Sequence, residues 1–240
     1  MIVNLRRELD ATKTAVILID VWDHHWSVDA ERRINELAPA INRFAQTVRS
    51  QGVLIIHAPS DTMNFYIDHP ARKNVVNLGH IPRTSMSQYQ FAPLPSASQE
   101  VPLDVWGNDK LASEEVLAQV WTREHPEIGI AETDVISDDG SEIWKLVYMR
   151  GIRNILLAGV HLNACMLYRS FGIRQWVRRK WNVMLVRDLT DVIYNPRYFN
   201  LSHRQALQAM VSYVENNLCP SLDSGSLTGH PGFVFGEDHE

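Results

Sequence analysis

Five short apolar runs, each ending at or beside a polar residue and each followed by a longer stretch, constrain this chain most. They are residues 14–20 (TAVILID), 53–57 (VLIIH), 134–137 (DVIS), 152–158 (IRNILLA) and 182–187 (NVMLVR). Runs this short and rich in β-branched residues read as strands buried on both faces, the habit of parallel sheets. Parallel neighbours need a crossover, and helices fill it.

The intervening stretches supply those helices. Residues 30–50 repeat apolar side chains at helical spacing (Ile34, Leu37, Ile41, Phe44, Ala45, Val48), with Asp29 placed to cap the start and Gly52 to close the end. Residues 142–149 form another helix, capped by Asp139 or Ser141 and ended by Gly151. One amphipathic helix is expected to start at Cys165, and a last one over 203–218 presents Leu207, Met210, Val211 and Val214 on one face. The pattern predicts a single α/β domain over residues 1–220, a mostly parallel sheet with helices on both faces. Residues 221–240, rich in Gly and Ser, are expected to reach across a neighbour or fray.

Residues 59–133 break the rhythm, with prolines at 59, 70, 82, 93, 95, 102 and 126 and with Trp106 and Trp121 embedded. A structureless loop of that length is improbable in a compact domain, so short helices are expected there, lidding a pocket or building a subunit contact. The net charge of -5, with basic residues interleaved among acids, argues against a nucleic-acid partner. No run approaches the ~20 apolar residues of a membrane span, and the N-terminus lacks a signal-peptide core, so a cytoplasmic protein without membrane contact is expected. Both cysteines, Cys165 and Cys219, then read as free thiols.

In a parallel sheet all strand carboxyl ends share one edge, and ligands bind in the crevice there. That edge collects Asp20, His57, the Ser137-Asp138-Asp139 corner and the turn Val160-His161-Leu162-Asn163-Ala164-Cys165. A thiol becomes a nucleophile when a base takes its proton and a positive field steadies the thiolate. Asp20 can be the base, Cys165 the nucleophile, and the amides of Ala164 and Cys165, or of the preceding turn, can hold an oxyanion. Trp22, His24, His25 and Trp26 follow Asp20 directly. They read equally as packing of the loop and as lining of a pocket, with Trp22, His25 and Trp26 the candidates for substrate contact. Cys165 by itself also reads as a buried structural thiol, and Asp20 as a loop cap.

These pieces resemble the isochorismatase-like cysteine hydrolases, which include nicotinamidases, N-carbamoylsarcosine amidohydrolases and biuret hydrolases. The likeness rests on AVILIDVW with Asp20, the GVHLNAC turn with Cys165, the VMLVRDLTD segment, and SHRQAL with His203. It implies a doubly wound sheet, often in a homo-oligomer, and cleavage of amide or ureide C–N bonds in a small-molecule substrate through a cysteine thioester. It also implies a cis peptide before His161. One position departs: where the family carries a catalytic lysine after the third strand, this chain has Asp138. Asp138 is then protonated or turned away, or a basic group such as His57, His161 or Arg169 takes the lysine's electrostatic place. Arg169, Arg174, Arg178 and Arg179 otherwise read as a solvated helix face or a subunit contact. The family's metal-binding Asp-x-His reads Asp61-Thr62-Met63 here, so His57, Asp61 and His69 are not expected to hold a metal, and no cofactor is expected. Two alternatives remain: a vinyl-ether hydrolase of the isochorismatase type, which uses the Asp and no cysteine, and a non-catalytic binding or assembly protein on the same scaffold.

Overall fold

The computed structural model describes residues 8–78, 101–103, 119–194 and 200–236. Within them lie β1 (Thr14–Ile19), α1 (Val28–Ser50), β2 (Leu54–Ala58), α2 (Pro70–Val76), β3 (Val135–Ile136), α3 (Gly140–Met149), β4 (Asn154–Gly159), α4 (Cys165–Tyr168), α5 (Ile173–Arg178), β5 (Asn182–Thr190), α6 (His203–Asn217), β6 (Ser221–Leu222) and α7 (Gly225–Thr228). The strands form one six-stranded sheet in the order β3-β2-β1-β4-β5-β6. Every pairing in it is parallel.

Strand alternation divides the core in two. Ala15, Ile17 and Ile19 of β1 face a layer built from α3 (Ile143, Trp144, Val147), Trp176 of α5 and Met210 and Val214 of α6. Val16 and Leu18 face Ile34, Leu37, Ile41, Phe44 and Val48 of α1 on the other side. Side chains of period two on a fully buried strand need cover on both faces, and helices from both crossovers provide it.

Several boundaries differ from the sequence reading. Ser27, not Asp29, caps α1: its hydroxyl accepts from Ala30 N–H at 3.2 Å, while Asp29 and Glu31 sit in the first turn where the helix dipole favours acids. Asp139 caps α3, accepting from the amides of Ser141 and Glu142. β5 runs on to Thr190 instead of stopping at 187, through an irregularity opposite Leu157 and Gly159. Gly159 adopts φ +116°, and a Cβ there would sit 2.1 Å from the Ile19 carbonyl oxygen, so the close approach of β1 and β4 at this edge requires glycine.

The expected cysteine helix is broken. α4 is a single turn; Arg169 leaves it at ψ 153°, and α5 begins four residues later. The intervening Ser170 packs under α3, where a Cβ on Gly140 would meet the Ser170 carbonyl at 2.4 Å. The C-terminal residues pack on the same sheet and helix layer. Residues 221–236 supply β6, pair Ser224 and Phe233 amides with the Asp188 carboxylate at 2.7 and 3.0 Å, and seat Phe233 and Phe235 against the α1 layer. Of the long excursion, residues 59–78, 101–103 and 119–133 are described; the sequence expectations for Trp106 and the prolines at 82, 93 and 95 fall outside the described residues. Among the described residues no helix is long and apolar enough to cross a membrane.

Candidate active site

Asp20 follows β1 in a left-handed conformation, φ 51°, which Asp tolerates better than most residues. The turn buries its carboxylate completely. Oδ1 accepts from Ser60 N–H at 2.8 Å and Oδ2 from Arg169 Nε at 3.0 Å. Burial raises its pKa, and the guanidinium, the thiol of Cys165 and Ser60 work against that rise.

Cys165 opens α4 and retains partial exposure. Its sulfur faces both the Asp20 carboxylate and the Arg169 guanidinium. Burial, and then the Asp20 charge, push its pKa well up, while Arg169 pulls it down. The resting form is therefore the thiol, beside a carboxylate whose proton affinity is itself increased. Polar contacts of this kind often tighten only when substrate is bound.

The turn before Cys165 is held from beneath. The Val160–His161 peptide is cis. Val160 N–H donates to Ile19 O at 2.8 Å and Leu162 N–H to Asp191 O at 2.7 Å. Asn163 is fully buried and spends its side-chain amide on Ile193, donating at 2.7 Å and accepting at 3.1 Å, so it is an anchor for the turn. Ala164 N–H is taken by His161 O at 2.9 Å, which removes it from the expected oxyanion donors. The amides of Cys165 and His161 have no hydrogen-bond partner among the described residues.

Behind the turn lies a second carboxylate that the sequence reading passed over. Asp191 is fully buried; it accepts from Arg33 Nε at 2.9 Å and lies 2.6 Å from His203 Nε2. Burial opposes its ionisation, but Arg33 and His203 hold its pKa far below the ordinary value. His161 Nε2 lies 3.7 Å from the same carboxylate without a hydrogen bond. Burial pushes His161 well down and His25 to about 4, so both rings are neutral at neutral pH. The two rings meet edge to face at 5.0 Å, and Trp26 leans on His25 at 4.7 Å. Trp22 is buried, stacked on Trp121 at 4.1 Å, with its indole N–H donated to Ser60 O at 3.1 Å.

Other candidates are drawn elsewhere. His57 has both ring nitrogens occupied, Nδ1 by Glu124 at 2.8 Å and Nε2 by Asp134 at 3.1 Å. Burial works against its charge, but Glu124 and Asp134 raise its pKa to about 9. This makes His57 a buried ion-pair member, not a substrate contact. Asp138, at the position of the expected lysine, accepts from Asp61 N–H at 2.9 Å and is not among the groups acting on the thiol. Asp61 in turn accepts from Arg169 Nη2 at 3.4 Å, and His69 caps α2 through Nδ1. Among the described residues no group of His, Cys, Asp or Glu side chains is arranged to hold a metal.

No family model and no curated protein matches the sequence. Solved structures do match. A cysteine hydrolase from Pseudomonas syringae pv. phaseolicola 1448A aligns with a TM-score of 0.58 at 15% identity, over 93% of this chain and 94% of that one. An isochorismatase family protein from Burkholderia thailandensis aligns with a TM-score of 0.52 at 14% identity, over 91% and 97%. The chain thus has the isochorismatase-like α/β fold over nearly its whole length. At these identities the likeness is one of fold, and the chemistry rests on the side chains themselves.

Proposed function

We propose that the chain is a cysteine hydrolase cleaving a C–N bond of a small amide, carbamoyl or ureide substrate through a thioester. The observation that carries this reading is the meeting of Cys165 with the buried Asp20 carboxylate at the carboxyl edge of the sheet, beside two unengaged amides. Asp20 takes the thiol proton and the sulfur attacks the substrate carbonyl carbon. Cys165 and His161 N–H groups receive the oxygen as it becomes anionic. The tetrahedral centre collapses with loss of the amine, which takes the proton from Asp20. Water, giving a proton to the same carboxylate, then attacks the thioester, and the acid leaves as the thiol is restored. Trp26, half-buried beside the turn, and the buried His25 ring it leans on border the substrate.

The fold neighbours named for cysteine hydrolase and isochorismatase family members agree with this class. The test is ammonia or amine release from a panel of small amides and ureides, with mass spectrometry of the quenched enzyme. A substrate-sized adduct on Cys165 and loss of turnover in Cys165→Ala are expected. Turnover undiminished in Cys165→Ala would overturn the thioester and favour chemistry run by Asp20 alone, as in vinyl-ether hydrolysis.

A further inference from the structure

The hydrolase reading leaves the thiolate without the lysine that the sequence comparison led one to expect, and the side chain at that position, Asp138, is acidic. We propose that Arg169, four residues after the nucleophile, is a catalytic residue: the fixed cation that keeps Asp20 ionised and receives the Cys165 thiolate. This rests on the reading of Asp20 and Cys165 as base and nucleophile.

Geometry carries the assignment. The break of the helix at Arg169 turns its side chain back over the residue pair instead of letting it run along a helix face. Nε donates to Asp20 Oδ2 at 3.0 Å, and Nη2 reaches Asp61 Oδ2 at 3.4 Å, so the guanidinium is tethered by two carboxylates. The thiol of Cys165 faces the same guanidinium. The side chain is 32% exposed against 0% for Asp20, which leaves its outer edge open to the crevice.

Among the described residues the charged and titratable groups around this centre are few. Cys165 and Arg169 come from α4 and its end, Asp20 from the end of β1 and Asp61 from the turn after β2. Asp138, from the end of β3, is one step removed, on the Asp61 amide. A carboxylate buried as fully as Asp20 with no cation beside it takes up a proton, because desolvation penalises the charged form. A protonated Asp20 cannot accept from the thiol. With Arg169 in place, the step Cys–SH plus Asp–COO⁻ to Cys–S⁻ plus Asp–COOH keeps the total charge constant. The cation exchanges one anionic partner for another that lies within its field.

Arginine differs from lysine in a way that matters here. It stays charged throughout the accessible pH range and donates through a rigid planar fork, so it holds two anions at once but neither gives nor takes a proton. All proton traffic is therefore assigned to Asp20, and deprotonation of the cation contributes no alkaline limb.

The test is the rate of iodoacetamide alkylation of Cys165 in the intact protein, mapped by mass spectrometry from mildly acidic to mildly alkaline pH, with buried Cys219 as the internal reference. The wild type should label with an acid limb set by Asp20. In Arg169→Met that limb should move up by about one pH unit or more and the neutral rate fall about tenfold or more. Arg169→Lys should fall between the wild type and the methionine variant, since the charge is retained and the fork is lost. Arg169→Gln serves as the second uncharged variant should the methionine variant fail to fold, and should behave as Met does. A purely structural role would lower stability and leave the limb in place. An uncharged variant with wild-type limb and rate overturns the assignment, as does a wild-type rate indifferent to Asp20→Asn. Silence of the amide panel alongside a shifted limb would sink the substrate class and leave Arg169 standing.

Discussion

Two aspartates at the carboxyl edge of the sheet make nearly the same first contact and differ in everything that follows. Asp20 accepts from an arginine Nε at 3.0 Å and Asp191 from another at 2.9 Å, and both carboxylates are fully buried. Yet the pKa of Asp20 is raised and that of Asp191 lowered. The partner on the other side decides it. Asp191 has His203 at 2.6 Å and an arginine that is itself 5% exposed, so a dry cation and a second donor outweigh desolvation. Asp20 shares a 32% exposed arginine with Asp61 and faces a neutral thiol, so the cation offsets only part of the desolvation. One ion pair clamps the turn; the other is poised to accept a proton.

Paired substitutions break or support that contrast. Asp191→Asn removes the buried charge that accepts from Arg33 and meets His203 and should cost about 3 to 5 kcal/mol in urea unfolding at neutral pH. Asp20→Asn should change stability by less than about 1 kcal/mol, because it removes a penalised charge and leaves Arg169 with Asp61. The pH dependences have opposite signs. A lowered pKa gives Asp191 a contribution present above its unfolded value and lost as pH falls. The raised pKa of Asp20 gives a contribution present in acid and lost as pH rises through the folded value. Similar losses from both variants would mean that the two pairs do the same job.

His57 extends the comparison to a third buried charge, this one held by two carboxylates. Its folded pKa of about 9 lies above the ordinary value of 6.5, so its contribution is complete below 6.5 and is lost as pH rises through about 9. Unfolding by urea at a series of pH values should show wild-type stability falling over that interval by an amount on the order of 3 kcal/mol at its upper end. His57→Gln should start lower, with Glu124 deprived of the imidazolium and Asp134 held by Arg49 and the Ala131 amide, and stay flat across the interval. A wild-type slope that survives in His57→Gln would place the titrating group elsewhere.

What the sequence disclosed follows the same division between local and distant causes. Asp20, Cys165 and the turn between β4 and α4 could be placed because strand ends in a parallel sheet share an edge. The layers on both faces of β1 followed from period two against period 3.6. Arg169 reads as part of a solvated face only if the helix runs on unbroken, and the break depends on Ser170 meeting Gly140 from a different crossover. Asp191 was hidden by three residues of β5 beyond the expected end at 187, a consequence of the irregularity opposite Gly159. His57 was taken for a crevice residue because its partners lie 67 and 77 positions away. The two-residue β6 is too short to carry any periodicity.

The smallest effect expected concerns the start of α1, which carries Arg33 to Asp191 and has no part in the Asp20 pair. Ser27→Ala removes the hydroxyl that accepts from Ala30 N–H and should cost about 1 kcal/mol in urea unfolding. Asp29→Ala should cost a few tenths of a kcal/mol, since that carboxylate sits in the first turn, where it meets the helix dipole. Cys165 alkylation should stay within about twofold of wild type in both, because neither change removes a contact of Asp20, Arg169 or the thiol. A larger cost for Asp29→Ala than for Ser27→Ala would return the cap to the residue first read as such. A slowed alkylation in Ser27→Ala would show that the Asp191 clamp and the reactive pair are energetically one unit, and would end the division drawn between them.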